Sequence, residues 1–510
     1  MPSAHKGIIW NHDSYLKAMV GPETQSQQKE LQNYANGEWV DISGDDGEEV
    51  INPATGDSLG TVPFSDSADV DATVKQAQEA FKSWQSTPVE QRIQPLFRFK
   101  TLLEEHQEEI AEQLVAEHGK TRGEAMGELR RGIENVEVAC GMPLMMQAGN
   151  LNHAAPQIDE SANRESLGVF TAITPFNFPG MIPLWFLPYA VATGNSFILK
   201  PSEQAPLTAQ FLFELIDEAG FPDGIVNLVH GSVETVNTLL EHPGIAGVSF
   251  VGSTPVAEHI YETASAHGKR VQAQGGAKNH AVVTENADIE YAAEKVFSAA
   301  CACSGERCLA LDIAVVEEAV YDEFAEAVVE QAENAVVGHG LDDETTIGPL
   351  ITAEHEQNVR NAMQTGIEEG AEVLYDGRDV DVDGYDGNFL GPVVFGDVTT
   401  DMDIQQDEIF GPVLGLIPAS DFDEAIETVN STRFGNAASL FTDSGHKANR
   451  FKHEVEAGNL GVNVGTVAPM AFFHFGGRKA SFFGDLHAQA EDMVQFYTDK
   501  TIYIERWPNQ

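Results

Sequence analysis

Gly168-Val169-Phe170-Thr171-Ala172-Ile173 is a short apolar run rich in β-branched residues. Asn195-Ser196-Phe197-Ile198-Leu199-Lys200 is a second, Ile225-Val226-Asn227-Leu228-Val229 a third, and residues 245–251 a fourth. Helical patterning fills the gaps, over 205–219, 233–240 and 255–265. Runs this short, without polar alternation, read as strands buried on both faces. Strands alternating with helices of about 10–15 residues predict a parallel, doubly wound α/β sheet. Sheets of this kind bind nucleotides at the carboxyl ends of their strands.

Outward from this core, a second series follows: strand at 280–283, helix at 289–302, strand at 311–316 and helix at 321–335. It reads as a second α/β lobe. Upstream, apolar periodicity predicts helices over 67–81, 88–103, 105–115 and 122–146, while residues 1–36 read as an arm. Residues 495–506 alternate enough to be one late strand, a candidate for pairing with another subunit.

The 510 residues exceed what one hydrophobic core usually covers, and their 42% hydrophobic content argues against wholesale disorder. With 80 acidic against 29 basic side chains, the formal charge is −51. No basic patch of useful size can be built, so a nucleic-acid scaffold and an anionic membrane surface are both disfavoured. The acid is spread along the chain, as in Asp342-Asp343-Glu344 and across 379–386. At molar salt the Debye length falls to about 3 Å and the self-repulsion is largely screened. We read this as adaptation to a salt-rich cytoplasm; the plainer reading is an ordinary acidic protein. No signal-like segment opens the chain and no apolar run is long enough to span a bilayer, which predicts a soluble, cytoplasmic protein.

Three of the four cysteines, Cys301, Cys303 and Cys308, lie close together. Cys308 follows Arg307 in Ser304-Gly305-Glu306-Arg307-Cys308, and a flanking guanidinium lowers a thiol pKa. The cluster reads either as a nucleophile with neighbours or as small core residues. Its spacing fits no common zinc finger. Asn177, in Pro175-Phe176-Asn177-Phe178-Pro179, closes the first strand. It is either a fixed N–H donor for an oxyanion or an Asx turn. Lys200 and Glu203 close the second strand, as ribose ligands or a solvated pair. Gly252 and Ser253 close the fourth and open a helix that could face a pyrophosphate. No Gly-x-Gly-x-x-Gly fingerprint is present.

Together these motifs, with Glu408-Ile409-Phe410-Gly411-Pro412, resemble the aldehyde dehydrogenase superfamily from about residue 34 to 504. The resemblance implies Cys308 as nucleophile, Asn177 as oxyanion donor, and NAD as cofactor. Lys200 and Glu203 then hold the adenosine ribose and Ser253 the pyrophosphate. Glu408 holds the nicotinamide ribose with Phe410 packed nearby, and Phe176 and Gly252 join the cofactor set. It also implies a cofactor domain over 37–145 and 166–276, a catalytic domain over 277–475, and oligomerisation strands at 146–165 and 488–510 of a homotetramer.

One departure is informative. Most of the superfamily carries Glu-Leu-Gly-Gly-Lys where this chain has Gln274-Gly275-Gly276-Ala277-Lys278. The missing carboxylate is the base that activates water. With Arg131-Gly132-Ile133-Glu134-Asn135-Val136-Glu137 and Ala468-Pro469-Met470-Ala471-Phe472-Phe473, this resembles the methylmalonate-semialdehyde dehydrogenase branch, which passes its acyl group to coenzyme A. In that branch the residues matching Arg131 and Arg307 hold the substrate carboxylate, a bidentate task suited to guanidinium. On residues alone, Arg131 also reads as a helix-surface partner of Glu128 or Glu134. A hydrolytic aldehyde dehydrogenase using NAD or NADP is the alternative activity.

Overall fold

The computed structural model describes residues 30–507. Its largest sheet has eight strands in the order Glu38–Val40, Asn33–Ala35, Val226–Leu228, Ser196–Lys200, Val169–Ile173, Ile245–Val251, Arg270–Gln274, Phe482–Gly484. The five from Val226–Leu228 to Arg270–Gln274 run parallel. The edges are antiparallel. Every residue of Val169–Ile173 and Ser196–Lys200 is buried, as expected of strands covered on both faces.

A second sheet of seven strands runs Glu372–Asp376, Val393–Gly396, Val413–Ala419, Ile313–Glu317, His280–Val283, Ala437–Phe441, Asn459–Val462. It is parallel apart from the first strand. A third sheet pairs Thr498–Glu505 with Ile158–Ser166, and that strand with Asn150–Ala155.

The expectations need four corrections. The helix expected over 122–146 ends at Cys140 and a short one follows over Met142–Met145, because Pro143 cannot accept continuation from the preceding turn. Residues 495–506 are not one strand. Helix Ala490–Phe496 buries Met493, Val494 and Phe496 before strand Thr498–Glu505 begins. Asn33–Ala35, inside the segment read as an arm, is a sheet strand; residues 1–29 lie outside the described residues. Finally, Ile182–Ala192 is a wholly buried helix, hidden in the sequence by Pro183 and Pro188.

Asn195 ties this architecture together. It is fully buried, and its Oδ1 accepts the N–H of Leu167 and Gly168 at 2.7 and 3.0 Å. Its Nδ2 donates to the Tyr497 carbonyl at 2.8 Å and to Thr193 Oγ1 at 2.9 Å. One side chain thus joins the entry to a central strand to the segment leading into the third sheet. Asn195→Ala should lower the thermal unfolding midpoint by several degrees, because each orphaned buried backbone group costs about 1–3 kcal/mol. Differential scanning calorimetry checks this; an unchanged midpoint would show that water or repacking replaces the amide.

Candidate active site

Cys308 is delivered by an unusual turn. Helix Ile289–Cys301 ends, and Cys303, Ser304 and Gly305 adopt φ values of 50°, 57° and 77° in succession. Left-handed backbone costs a non-glycine residue roughly 1–2 kcal/mol, so the turn needs outside support. The Cys303 N–H donates to Glu124 Oε1 at 2.6 Å. Ser304 Oγ reaches the carbonyls of Gly348 and Pro349 at 2.8 and 3.2 Å. Gly305 must be glycine: a Cβ would lie 2.1 Å from the Gly411 carbonyl oxygen. The Cys308 carbonyl then accepts the side-chain amides of Asn279 and Asn436, at 2.9 and 2.6 Å.

The loop carrying Asn177 is pinned from helix Arg122–Cys140. Buried Lys120 donates to the Asn177 carbonyl at 2.6 Å and to Glu128 Oε2 at 2.5 Å. Glu128 Oε1 accepts the N–H groups of Gly180 and Met181 at 2.7 and 3.0 Å. The Asn177 side chain donates to the Glu306 carbonyl at 2.9 Å, so the two loops are joined directly.

A cavity of about 500 Å³ opens on this junction. It is lined by Cys308 together with Arg131, Arg307, Phe178, Trp185 and Gln489, among others. Arg131 both lines the cavity and pairs with Glu134 at 2.9 Å. Its partner is Glu134 and not Glu128, which belongs to Lys120. Arg131 also donates to the carbonyls of Ala468 and Pro469, at 3.0 and 2.9 Å. Cys303 lines the cavity but is buried, and Cys301 is buried beneath it. Of the cluster, Cys308 is the partly accessible one.

Burial pushes the Cys308 thiol up to about 12; the Glu408 carboxylate adds to this and the Arg307 guanidinium opposes it. Burial likewise pushes Glu408 up to about 7, against the Ala277 N–H that its Oε1 accepts at 2.9 Å. Gly276 permits this contact, since a Cβ there would stand 2.4 Å from Glu408 Oε2. Phe410, at φ 61°, meets Phe176 edge-on with ring centroids 6.1 Å apart. Phe176 in turn stacks on His118 at 6.1 Å.

At the carboxyl ends of the large sheet, Lys200 pairs with Glu203 at 2.7 Å. Ser253, after Gly252, stands at the N-terminus of helix Thr254–Ala266, its side chain unused as a cap. An exposed hydroxyl, a helix N-terminus and a strand-end ion pair together suit a dinucleotide. Gln274 ends its strand buried, with Oε1 lacking a partner and Nε2 3.4 Å from the Phe475 carbonyl.

Three features are not readable from the sequence. The Lys120–Glu128 pair is one. Another is a group of buried His118, buried Glu306 and half-buried His355, in which each histidine Nε2 is 3.7 Å from a Glu306 oxygen. Burial drives the Glu306 carboxyl well above and the His118 imidazole well below their usual ranges. The third is Gln489, which no motif marks. A raised Cys308 pKa means a small thiolate fraction, rising roughly tenfold per pH unit below the pKa. In the cofactor-free protein, iodoacetamide labelling of Cys308 should therefore climb steeply between about pH 7 and pH 9. It should disappear in Cys308→Ala and persist in Cys303→Ala, as peptide mass mapping would show; a rate flat across that range contradicts the buried-thiol state.

Known proteins resemble this chain over nearly its whole length. The aldehyde dehydrogenase family model matches residues 39–502. A malonate-semialdehyde dehydrogenase of Oceanobacillus iheyensis is 48% identical over 482 residues, covering 94% of this chain and 99% of that one. Two solved structures superpose with a TM-score of 0.93 at 40% identity, each over 95% of this chain and 99% of its own. One is a Sinorhizobium meliloti protein in complex with NAD, the other the methylmalonate-semialdehyde dehydrogenase of Oceanimonas doudoroffii. Among the described residues, no helix is long and apolar enough to cross a membrane. The fold and the extent of the match make this chain a member of the aldehyde dehydrogenase family.

Proposed function

We propose that the chain oxidises malonate semialdehyde or its α-methyl homologue, with NAD as hydride acceptor and coenzyme A as acyl acceptor. The observation that carries this reading is one cavity holding the Cys308 thiol beside Arg131 and Arg307. The names of the relatives support the same substrate class. Glu203 favours NAD over NADP, since a carboxylate accepts from ribose hydroxyls and repels a 2′-phosphate.

Arg131 and Arg307 hold the substrate carboxylate and so orient the aldehyde at the other end toward Cys308. The Cys308 thiolate adds to the aldehyde carbon, and the carbonyl oxygen takes the charge. The Asn177 amide and the Cys308 backbone N–H are the donors for that oxygen. Lys200, Glu203, Ser253 and Glu408 would hold NAD, which would supply the hydride acceptor, and loss of hydride from this carbon leaves a thioester on Cys308. The bond to the β-carboxylate then breaks, carbon dioxide departs, and the electron pair passes into the thioester carbonyl. The resulting enolate takes a proton at its α carbon. The thiol of coenzyme A attacks the thioester, Cys308 leaves as thiolate, and acetyl-CoA or propanoyl-CoA is released. Gln274 has no useful basicity, so water at this point stays a poor nucleophile.

The edge strand Thr498–Glu505 leaves Ile502 and Ile504 exposed, at 56% and 67%. We read it as the oligomerisation surface of a homotetramer, consistent with apolar side chains on an unpaired edge.

The deciding measurement is the ratio of acyl-CoA to free acid formed from each semialdehyde, with and without coenzyme A, in molar KCl. Wild type should depend strongly on coenzyme A. Gln274→Glu should shift product toward free acid, since a positioned base is typically worth about 10²–10⁴ in rate. A wild type making mostly free acid at full rate without coenzyme A overturns the acyl-transfer reading. Separately, Arg307→Leu should lower kcat/KM for the semialdehyde about tenfold or more, with a much smaller loss on propanal, which lacks the carboxylate. Equal losses on both substrates would make Arg307 structural.

A further inference from the structure

Gln489 combines two features that the fold does not need. Its backbone sits at φ 71° and ψ 163°, and Ala490 follows at φ 53°. The first of these lies in a region essentially reserved for glycine. Its side chain is 4% exposed, yet its Oε1 is buried without a partner. Buried amides normally find hydrogen bonds, and a strained backbone that presents an unpaired one points to a ligand. Gln489 lines the cavity of Cys308, Arg131 and Arg307. Trp185 lines the same cavity, is 4% exposed, and has its Nε1 unpartnered as well.

Donor counting says what these groups are for. Both terminal nitrogens of Arg131 are already engaged, Nη1 by Glu134 and the Met470 sulfur, Nη2 by the carbonyls of Ala468 and Pro469. Only its Nε–H is uncommitted. Arg307 has its Nε unpartnered and places Nη2 3.4 Å from Thr466 Oγ1. A carboxylate offers about four acceptor sites, and Glu134 beside Arg131 repels it. Neutral donors that add hydrogen bonds without more charge complete such a site. Rotation of a glutamine amide about its last bond exchanges oxygen for NH₂, so Gln489 can present either end.

Resting on the functional reading above, we propose that Gln489 is a substrate-binding residue whose amide donates to the substrate carboxylate, with the Trp185 indole N–H as a second neutral donor. Gln489 thereby sets selectivity for acidic over plain aldehydes.

The test compares wild type, Gln489→Met, which keeps the shape and removes the amide, and Gln489→Gly, which relieves the backbone. Two quantities are measured: the ratio of kcat/KM for malonate semialdehyde over propanal, and the malonate concentration that half-protects Cys308 from iodoacetamide. The proposal expects the ratio to fall about tenfold in both variants, with a matching rise in the half-protecting concentration. It also expects Gln489→Gly to melt no lower than wild type. A ratio and protection equal to wild type in either variant overturns it, as does a parallel loss on both aldehydes. If wild type itself shows no preference for the semialdehyde, the functional reading falls instead, and malonate protection alone decides Gln489.

Discussion

The catalytic apparatus depends on one ion pair that water does not reach. Lys120 and Glu128 are both buried, and between them they hold the Asn177 carbonyl and the N–H groups of Gly180 and Met181. Lys120 also stands 4.4 Å from the centre of the Phe178 ring. Charges buried this deeply survive only when paired and fully hydrogen-bonded, and here the loop backbone supplies the remaining bonds. Removing either partner would leave an uncompensated charge next to the Asn177 loop. The pair therefore fixes geometry more than it adds stability.

The same helix does more than anchor that loop. Glu124, Glu128 and Arg131 follow at spacings of four and three, which places them on one face. Glu124 holds the nucleophile turn, Glu128 the Asn177 loop, and Arg131 reaches the cavity. One rigid element thus sets the distance between the turn before Cys308, the Asn177 loop and the arginine-lined cavity. Sites supported by a packed helix keep the sub-ångström tolerances that covalent catalysis needs.

The sequence shows these parts unevenly. The buried strands and the motif around Cys308 are legible because their signals are local: apolar runs, prolines, and a cysteine beside an arginine. The Arg131 alternatives are undecidable from spacing, since i+3 and i−3 carboxylates flank it equally; only the distant claim of Lys120 on Glu128 separates them. The alternation over 495–506 misleads because a helix burying Met493, Val494 and Phe496 runs straight into a strand. Gln489 leaves no signal at all, as its conformation and its cavity are made by residues far away in the chain.

The amide of Asn195 has a consequence for how the protein comes into being. Its acceptor, the Tyr497 carbonyl, is 302 residues downstream, and strand Ile158–Ser166 waits for Thr498–Glu505 over a similar span. A chain emerging from the ribosome has made seven of the eight strands of the largest sheet long before either partner exists. Contacts of such separation form late. The largest sheet is thus left, throughout synthesis, with an unfilled polar pocket at the entry to its central strand and an open strand edge beside it, and a ribosome stalled before residue 497 would hold a nascent chain that is folded at its centre and adhesive at its rim.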